Sequence, residues 1–355
     1  MNPTRSQRVQ PLRLKALSLT DLIIGDALVT NSRCLRFLSR PAPTRAAVAP
    51  GARGQWREDG LSSQEMLALA ASMARLEALW YLLRRTDARS LAETGQVRYR
   101  RIAELLPGGS ATGRAAKELL DQTDAPEQRA ALRAILDQWP QRPTIRMLPA
   151  SDRGRLQSLL AQDAADWQQA VDLLTPQALT PVQQAFKRSY RKLRRAFAER
   201  GAQDTPSPER LARLATLAAR VAAQLELLAP ALSEGSSRQL WYLQRLERNL
   251  RRRRDLALFL ARLQQLESRD GRLGSARSQA RRATQRRQEI QAARTVKLAE
   301  LALTRKPGEY LDALLEDIAV RADQLVLDDN GLELIDAQVQ GSAPSLGDIT
   351  IEEQI

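Results

Sequence analysis

Residues 207–232, SPERLARLATLAARVAAQLELLAPAL, decide the fold class. Ser207, Pro208 and Glu209 form a helix start, with a capping hydroxyl, a proline suited to the first helical position and an acid in the first turn. The Leu- and Ala-rich run behind them repeats at helical spacing. The same spacing predicts helices over 18–39, 62–86, 96–106, 112–122, 125–138, 151–174, 180–200, 207–229, 236–268, 272–304 and 308–324. Further start signals stand at Ser62-Ser63-Gln64-Glu65, Thr180-Pro181 and Ser236-Ser237. Across the 355 residues, 43% are hydrophobic but only 4% aromatic, and Leu and Ala carry most of that apolar content. Such a mixture favours helices over sheets, so the expected class is all-α.

Two breaks interrupt the periodicity. Arg40 to Gly60 (RPAPTRAAVAPGARGQWREDG) is rich in Pro, Gly and Ala and reads as a linker; Gln138 to Pro149 carries Pro140, Pro143 and Pro149. Near the C-terminus, Asn330-Gly331 sits between short apolar runs within 325–335, the pattern of a β-hairpin. The tail beyond Gly341 is expected to be mobile. The expected organisation is a basic N-terminal segment (1–17), a first helical bundle (18–150, with the linker at 40–60), a second bundle (151–268), a basic helix (269–306) and an acidic tail with the hairpin (307–355).

Composition excludes whole classes of chemistry. There is no histidine, which removes Ser/His/Asp and Cys/His nucleophilic sites, imidazole bases and His-ligated metals. The single cysteine, Cys34, can form neither an internal disulfide nor a cysteine-based zinc site. A lone thiol suits a reducing compartment, and the expected location is cytoplasmic. No run approaches eighteen consecutive apolar residues, so no membrane span is expected. The N-terminus, MNPTRSQRVQPLRLK, is basic, but Asp21 and Asp26 interrupt the apolar stretch after it and argue against a signal peptide.

The formal charge is +14, and it is unevenly placed. Residues 181–306 hold 29 basic and 11 acidic side chains, whereas 307–355 hold 1 and 12. Such a balance points to an anionic polymer or surface as partner. In Val182 to Phe197, the stripe Val182, Phe186, Ser189, Leu193 and Phe197 leaves Arg188, Arg191, Lys192 and Arg195 on another face. That face is either an ordinary solvated side or a cationic wall for a polyanion. In Leu240 to Leu266 the stripe runs Leu240, Leu243, Leu246, Leu250, then Arg253 or Arg254, then Ala257, Leu260 and Leu263. The run Arg251, Arg252, Arg253, Arg254 therefore cannot lie wholly in solvent. At least one guanidinium turns inward, where it must meet Asp255, another carboxylate, an anion or a wet channel. Residues 272–304 have a thin apolar edge (Leu273, Ala276, Ala280, Ala283, Ile290) and are otherwise dominated by Arg277, Arg281, Arg282, Arg286, Arg287 and Arg294, an alternative nucleic-acid surface.

Gly108 to Ala115 has the spacing of a phosphate-binding loop, but Arg114 stands for its lysine and Ala115 for its magnesium-binding hydroxyl. A turn between helices is the expected reading. The acidic pairs Glu316-Asp317, Asp328-Asp329 and Glu352-Glu353 read as charged surface. No catalytic, metal or cofactor site is expected.

The order FKRSYRKLRRAF (186–197), SPERLARLATLAARVAAQLELLAPAL (207–232) and YLQRLERNLRRRRDLALFLARL (242–263) resembles the C-terminal repeat of the CHAD family, the conserved-histidine α-helical domain. Ser207 to Leu211 and Arg254-Asp255-Leu256 fall in register with its motifs. The resemblance implies two pseudo-repeated helical bundles around a basic cavity that binds inorganic polyphosphate, without enzymatic activity. Ala212 stands at the family's first histidine, Ala215 and Thr216 at its Arg and Lys, and Arg254 at its second histidine. The resulting stripe Ala212, Ala215, Ala219, Ala222 favours close helix packing. The Glu-x-Glu-x-Lys motif of fused triphosphate-tunnel domains is missing.

The expected function is thus binding of a polyanion, polyphosphate first, through Arg188, Arg191, Lys192, Arg195, Arg251, Arg252, Arg253 and Arg254. The alternatives are nucleic-acid binding by 272–304, and a helical scaffold whose acidic tail docks a protein partner.

Overall fold

A computed structural model describes residues 9–39, 63–106, 111–123, 125–138, 148, 150–199, 206–267 and 274–325. The chain is all-helical over these residues. In order, the helices are α1 (Val9–Leu38), α2 (Ser63–Leu83), α3 (Arg89–Leu105), α4 (Ala111–Asp121), α5 (Pro126–Gln138), α6 (Ala150–Leu173), α7 (Leu179–Ala198), α8 (Pro208–Leu227), α9 (Glu234–Glu267), α10 (Gly274–Ala302) and α11 (Pro307–Leu325). Short 3-10 turns at Pro176–Ala178 and Ala229–Ala231 join α6 to α7 and α8 to α9. Ser207 caps α8 by accepting from the Arg210 amide at 3.3 Å, as its sequence position demands. The 40–60 linker, the proposed hairpin at 325–335 (but for Leu325) and the tail beyond Gly341 lie outside the described residues.

The structure differs from the sequence expectation at two helix starts. The helix expected from 18 begins at Val9, inside the segment set apart as a basic N-terminus, and the helix expected from 96 begins at Arg89. Thr86 explains the second shift. Its hydroxyl accepts from the Ala88 amide at 3.2 Å and its carbonyl from the Arg89 amide, starting the helix seven residues before the apolar pattern becomes regular.

A large core joins α1, α2, α3, α6, α7, α8, the first half of α9, the end of α10 and α11. A smaller one joins α4 and α5 to the second half of α9 and to Ala280 of α10. Elements from either side of residue 150 share both cores: α6 packs on α1 and α3, while α4 packs on α9 and α5 on α10.

Helices α1, α2, α3 and α6 meet around a charge. Asp163 of α6 has no exposed surface, and its carboxylate accepts from five side chains. Oδ1 takes the Trp80 Nε1–H at 2.9 Å and Arg98 Nη1 at 2.9 Å; Oδ2 takes Asn31 Nδ2 at 3.0 Å, the Tyr99 hydroxyl at 2.6 Å and Trp167 Nε1 at 3.0 Å. Arg98 also reaches Asp166 at 2.5 Å. The indoles of Trp80 and Trp167 stack with centroids 3.6 Å apart. Gly95 makes room for this stack, since a Cβ there would stand 2.8 Å from the Trp80 ring. The Tyr99 phenol is pushed well above its ordinary range, by burial first and then by the Asp163 charge.

Asp163→Asn is expected to cost about 3 kcal/mol or more, because Arg98 would keep its buried charge but lose a fully desolvated partner. Gly95→Ala should cost about 1–3 kcal/mol through overpacking against an immobile indole. Urea unfolding of each variant checks both. Burial pushes the Cys34 thiol up to about 11, so thiol labelling at pH 8 should require global unfolding.

Candidate functional site

Helix α7 follows the sequence closely. Val182, Ala185, Phe186, Ser189, Tyr190, Leu193 and Ala196 are buried, which leaves Arg191, Lys192 and Arg195 exposed and Arg188 half-buried. Arg191, Lys192 and Arg195 make no ion pair among the described residues. Arg188 donates to the Pro181 carbonyl at 3.4 Å. Burial first, and then the neighbouring Arg85, lower its pKa from the ordinary arginine range, with Tyr81 opposing. Two cations are therefore close enough to repel at the α2 end.

More charge gathers there. The Arg220 guanidinium of α8 lies 4.3 Å from the centre of the Tyr81 ring and that of Arg84 lies 5.7 Å away. Arg220 reaches Glu77 at 3.2 Å. Sequence reasoning missed Arg84, Arg85 and Arg220, because their helices are linked to α7 only by packing. The available signal was the adjacent pair Arg84-Arg85 at a helix C-terminus, a favoured place for cations.

The α9 arginines behave differently. Leu243, Leu246 and Leu250 are buried as expected, but the buried face then passes through Asp255, Leu256, Phe259 and Leu263, whereas Ala257 and Leu260 are half-buried. The shift occurs where α9 leaves the large core and meets α4 and α10. Arg254 turns inward and binds Asp255 through Nη2 at 2.8 Å and Nε at 3.1 Å; Arg114 of α4 holds the other oxygen of the same carboxylate at 2.9 Å. Arg251 pairs with Glu247, and Arg252 lies 3.9 Å from Glu118. Arg253 is half-buried. The inward guanidinium is thus matched by the adjacent aspartate, and Arg114, which stood for the lysine of a phosphate loop, serves the same ion pair. A helix, α3, precedes that glycine-rich stretch.

Helix α10 packs along α9 with Ala280 buried as expected, but the positions expected at Ala276, Ala283 and Ile290 are taken by the residues that follow each of them. Its buried residues are Arg277, Ala280, Thr284, Gln291, Thr295, Ala299 and Ala302, while Ile290 is exposed. The side-chain amides of Asn249 and Gln291 meet at 2.6 Å, and the Thr295 hydroxyl donates to Asn249 Oδ1 at 2.9 Å. The six arginines proposed for nucleic acid are dispersed around this helix. Arg277 is buried, Arg281 is half-buried, Arg287 reaches Glu118 at 3.3 Å, and Arg282, Arg286 and Arg294 are exposed.

The alanine stripe of α8 packs less closely than its composition suggests. Ala215 and Ala222 are buried in the core, but Ala219 is half-buried and, with Ala222 and Ala223 and with Ala71 and Ala74 of α2, lines a groove of about 510 Å³. Arg75, Arg248 and Arg251 line it together with Glu226 and Glu247. Arg75 is already bound to Asp26 at 2.6 Å and to Glu226 at 3.2 Å. Burial raises the pKa of Glu247 against the pull of Arg251.

Asp255→Asn should lower stability by about 1–3 kcal/mol, because two guanidiniums lose one desolvated acceptor. Arg252→Ala should stay within about 0.5 kcal/mol, as expected for an exposed pair at long range. Denaturant titration separates the two.

Comparison with protein-family models, with curated proteins and with solved structures gives no match.

Proposed function

We propose that this chain is a divergent CHAD-like protein that binds an anionic polymer, inorganic polyphosphate first, and does so without catalysing a reaction. The observation that carries the proposal is the α7 face. Arg188, Arg191, Lys192 and Arg195 project from one helix, three of them exposed and without ion pairs among the described residues. Arg84 and Arg85 extend the set at the α2 end.

Placing Arg188 beside Arg85 costs the folded protein electrostatic energy that a bound phosphate would return. Arginine forks suit phosphate oxygens because they donate two parallel charge-assisted hydrogen bonds. A polymer adds a second gain, since each neutralised phosphate releases condensed counterions. The α9 run contributes less to this reading than its density suggests. Arg251, Arg252 and Arg254 already face carboxylates, so an entering phosphate would have to displace Glu247, Glu118 or Asp255.

Titration with long-chain polyphosphate at two salt concentrations tests the proposal. Replacing Arg188, Arg191, Lys192 and Arg195 by Ala should weaken binding at least tenfold and flatten the salt dependence by roughly 0.7 log units per lost contact. Retention of wild-type affinity and slope would overturn it.

A further inference from the structure

Helix α9 carries a second exposed feature, independent of the α7 face. Among the described residues Trp241 is the large exposed aromatic, with 45% of its surface accessible. The Arg245 guanidinium covers it at 3.8 Å from the ring centre, and Tyr242 meets its edge at 5.0 Å. An exposed indole held by a cation and a second ring is a prepared stacking surface. It contributes nothing to either apolar core.

The helix then places charge beside it. Trp241, Gln244, Arg248 and Arg251 recur at steps of three and four, so they form one stripe. The last three line the groove between α2, α8 and α9. From Trp241 to Arg251 the stripe spans about 15 Å at 1.5 Å per residue. Arg245 and Arg248 make no ion pair among the described residues, and both are exposed. The acids on this side are Glu247, which pairs with Arg251, and Glu226, which holds Arg75 and Gln244.

We infer that this stripe is a single-stranded nucleic-acid site, in which a base stacks on Trp241 and the phosphates that follow it fall on Arg245 and Arg248, with Arg251 held back by Glu247. A polyphosphate chain would use the arginines but has nothing to place on the indole. A duplex would keep its bases stacked on each other. Only an unpaired strand offers a free π-face and a backbone anion at the same time, and such stacking tolerates any base. The alanine floor fits this occupant too, since methyl groups let a backbone approach without presenting competing donors.

The test is fluorescence anisotropy of the full chain with three labelled probes: a thymidine decamer, an abasic deoxyribose-phosphate decamer, and a polyphosphate of matched charge. Trp241→Ala should weaken the thymidine decamer about tenfold and leave the abasic decamer and polyphosphate within twofold, with Trp241→Phe recovering most of the loss. Arg245→Ala with Arg248→Ala should weaken both decamers. The inference fails if Trp241→Ala binds thymidine as the wild type does, if it loses the abasic decamer equally, or if the wild type binds neither decamer. Failure at α7 would instead appear as polyphosphate affinity indifferent to Arg188, Arg191, Lys192 and Arg195, so the two results are separable.

Discussion

A carboxylate taken wholly out of water is tolerated only where enough donors replace its hydration, and Asp163 marks the place where this chain meets that demand. Its five donors arrive from α1, α2, α3 and α6 itself, separated by up to 132 residues. No smaller set of helices could satisfy it. The bond geometry therefore specifies which helices meet and at what height, something the interchangeable Leu and Ala contacts around it cannot do alone. The indole stack and the missing side chain at Gly95 follow from the same point, since two Trp N–H groups reach one carboxylate only if their rings lie close together.

The rest of the molecule distributes an excess of arginine. Where α9 turns toward the smaller core, guanidiniums are neutralised locally by Asp255, Glu118 and Glu247. Along α7 they are not, and the cost is visible at Arg188, whose charge is disfavoured by burial and by Arg85. Cationic surface is thus concentrated on faces that the core does not use.

Much of this was legible in sequence because helical periodicity is a local signal. The eleven helices among the described residues follow from apolar spacing, several with start residues as well, and the α7 faces match the reading from Val182 to Phe197. The inward turn at Arg253 or Arg254 also followed, since a run of four arginines cannot fit on one side of a helix with a continuous apolar stripe. What escaped depends on residues distant in sequence. Asp163 is one acid in an ordinary amphipathic helix until Asn31, Trp80 and Tyr99 surround it. On α10, Ala280 is buried as its spacing suggests, but Thr284, Gln291 and Thr295 take the edge in place of Ala283 and Ile290, and Asn249 gives Gln291 and Thr295 a partner. Trp241 stands outside the apolar stripe expected for α9, and its exposure shows that the core leaves it out.

That polar edge on α10 has a thermal consequence. Apart from alanines and the partly buried Leu298, the helix offers α9 amides, hydroxyls and one buried guanidinium. Its own side of the seam is largely polar, so α10 contributes less apolar surface per residue to the heat-capacity change of opening than the Leu-rich core helices do. The two parts of the molecule consequently have differently curved stability profiles. As temperature falls, the leucine contacts lose hydrophobic driving force, whereas the hydrogen bonds of Asn249, Gln291 and Thr295 do not depend on it. In the cold, that polar stretch between α9 and α10 therefore weakens less than the leucine contacts on either side of it.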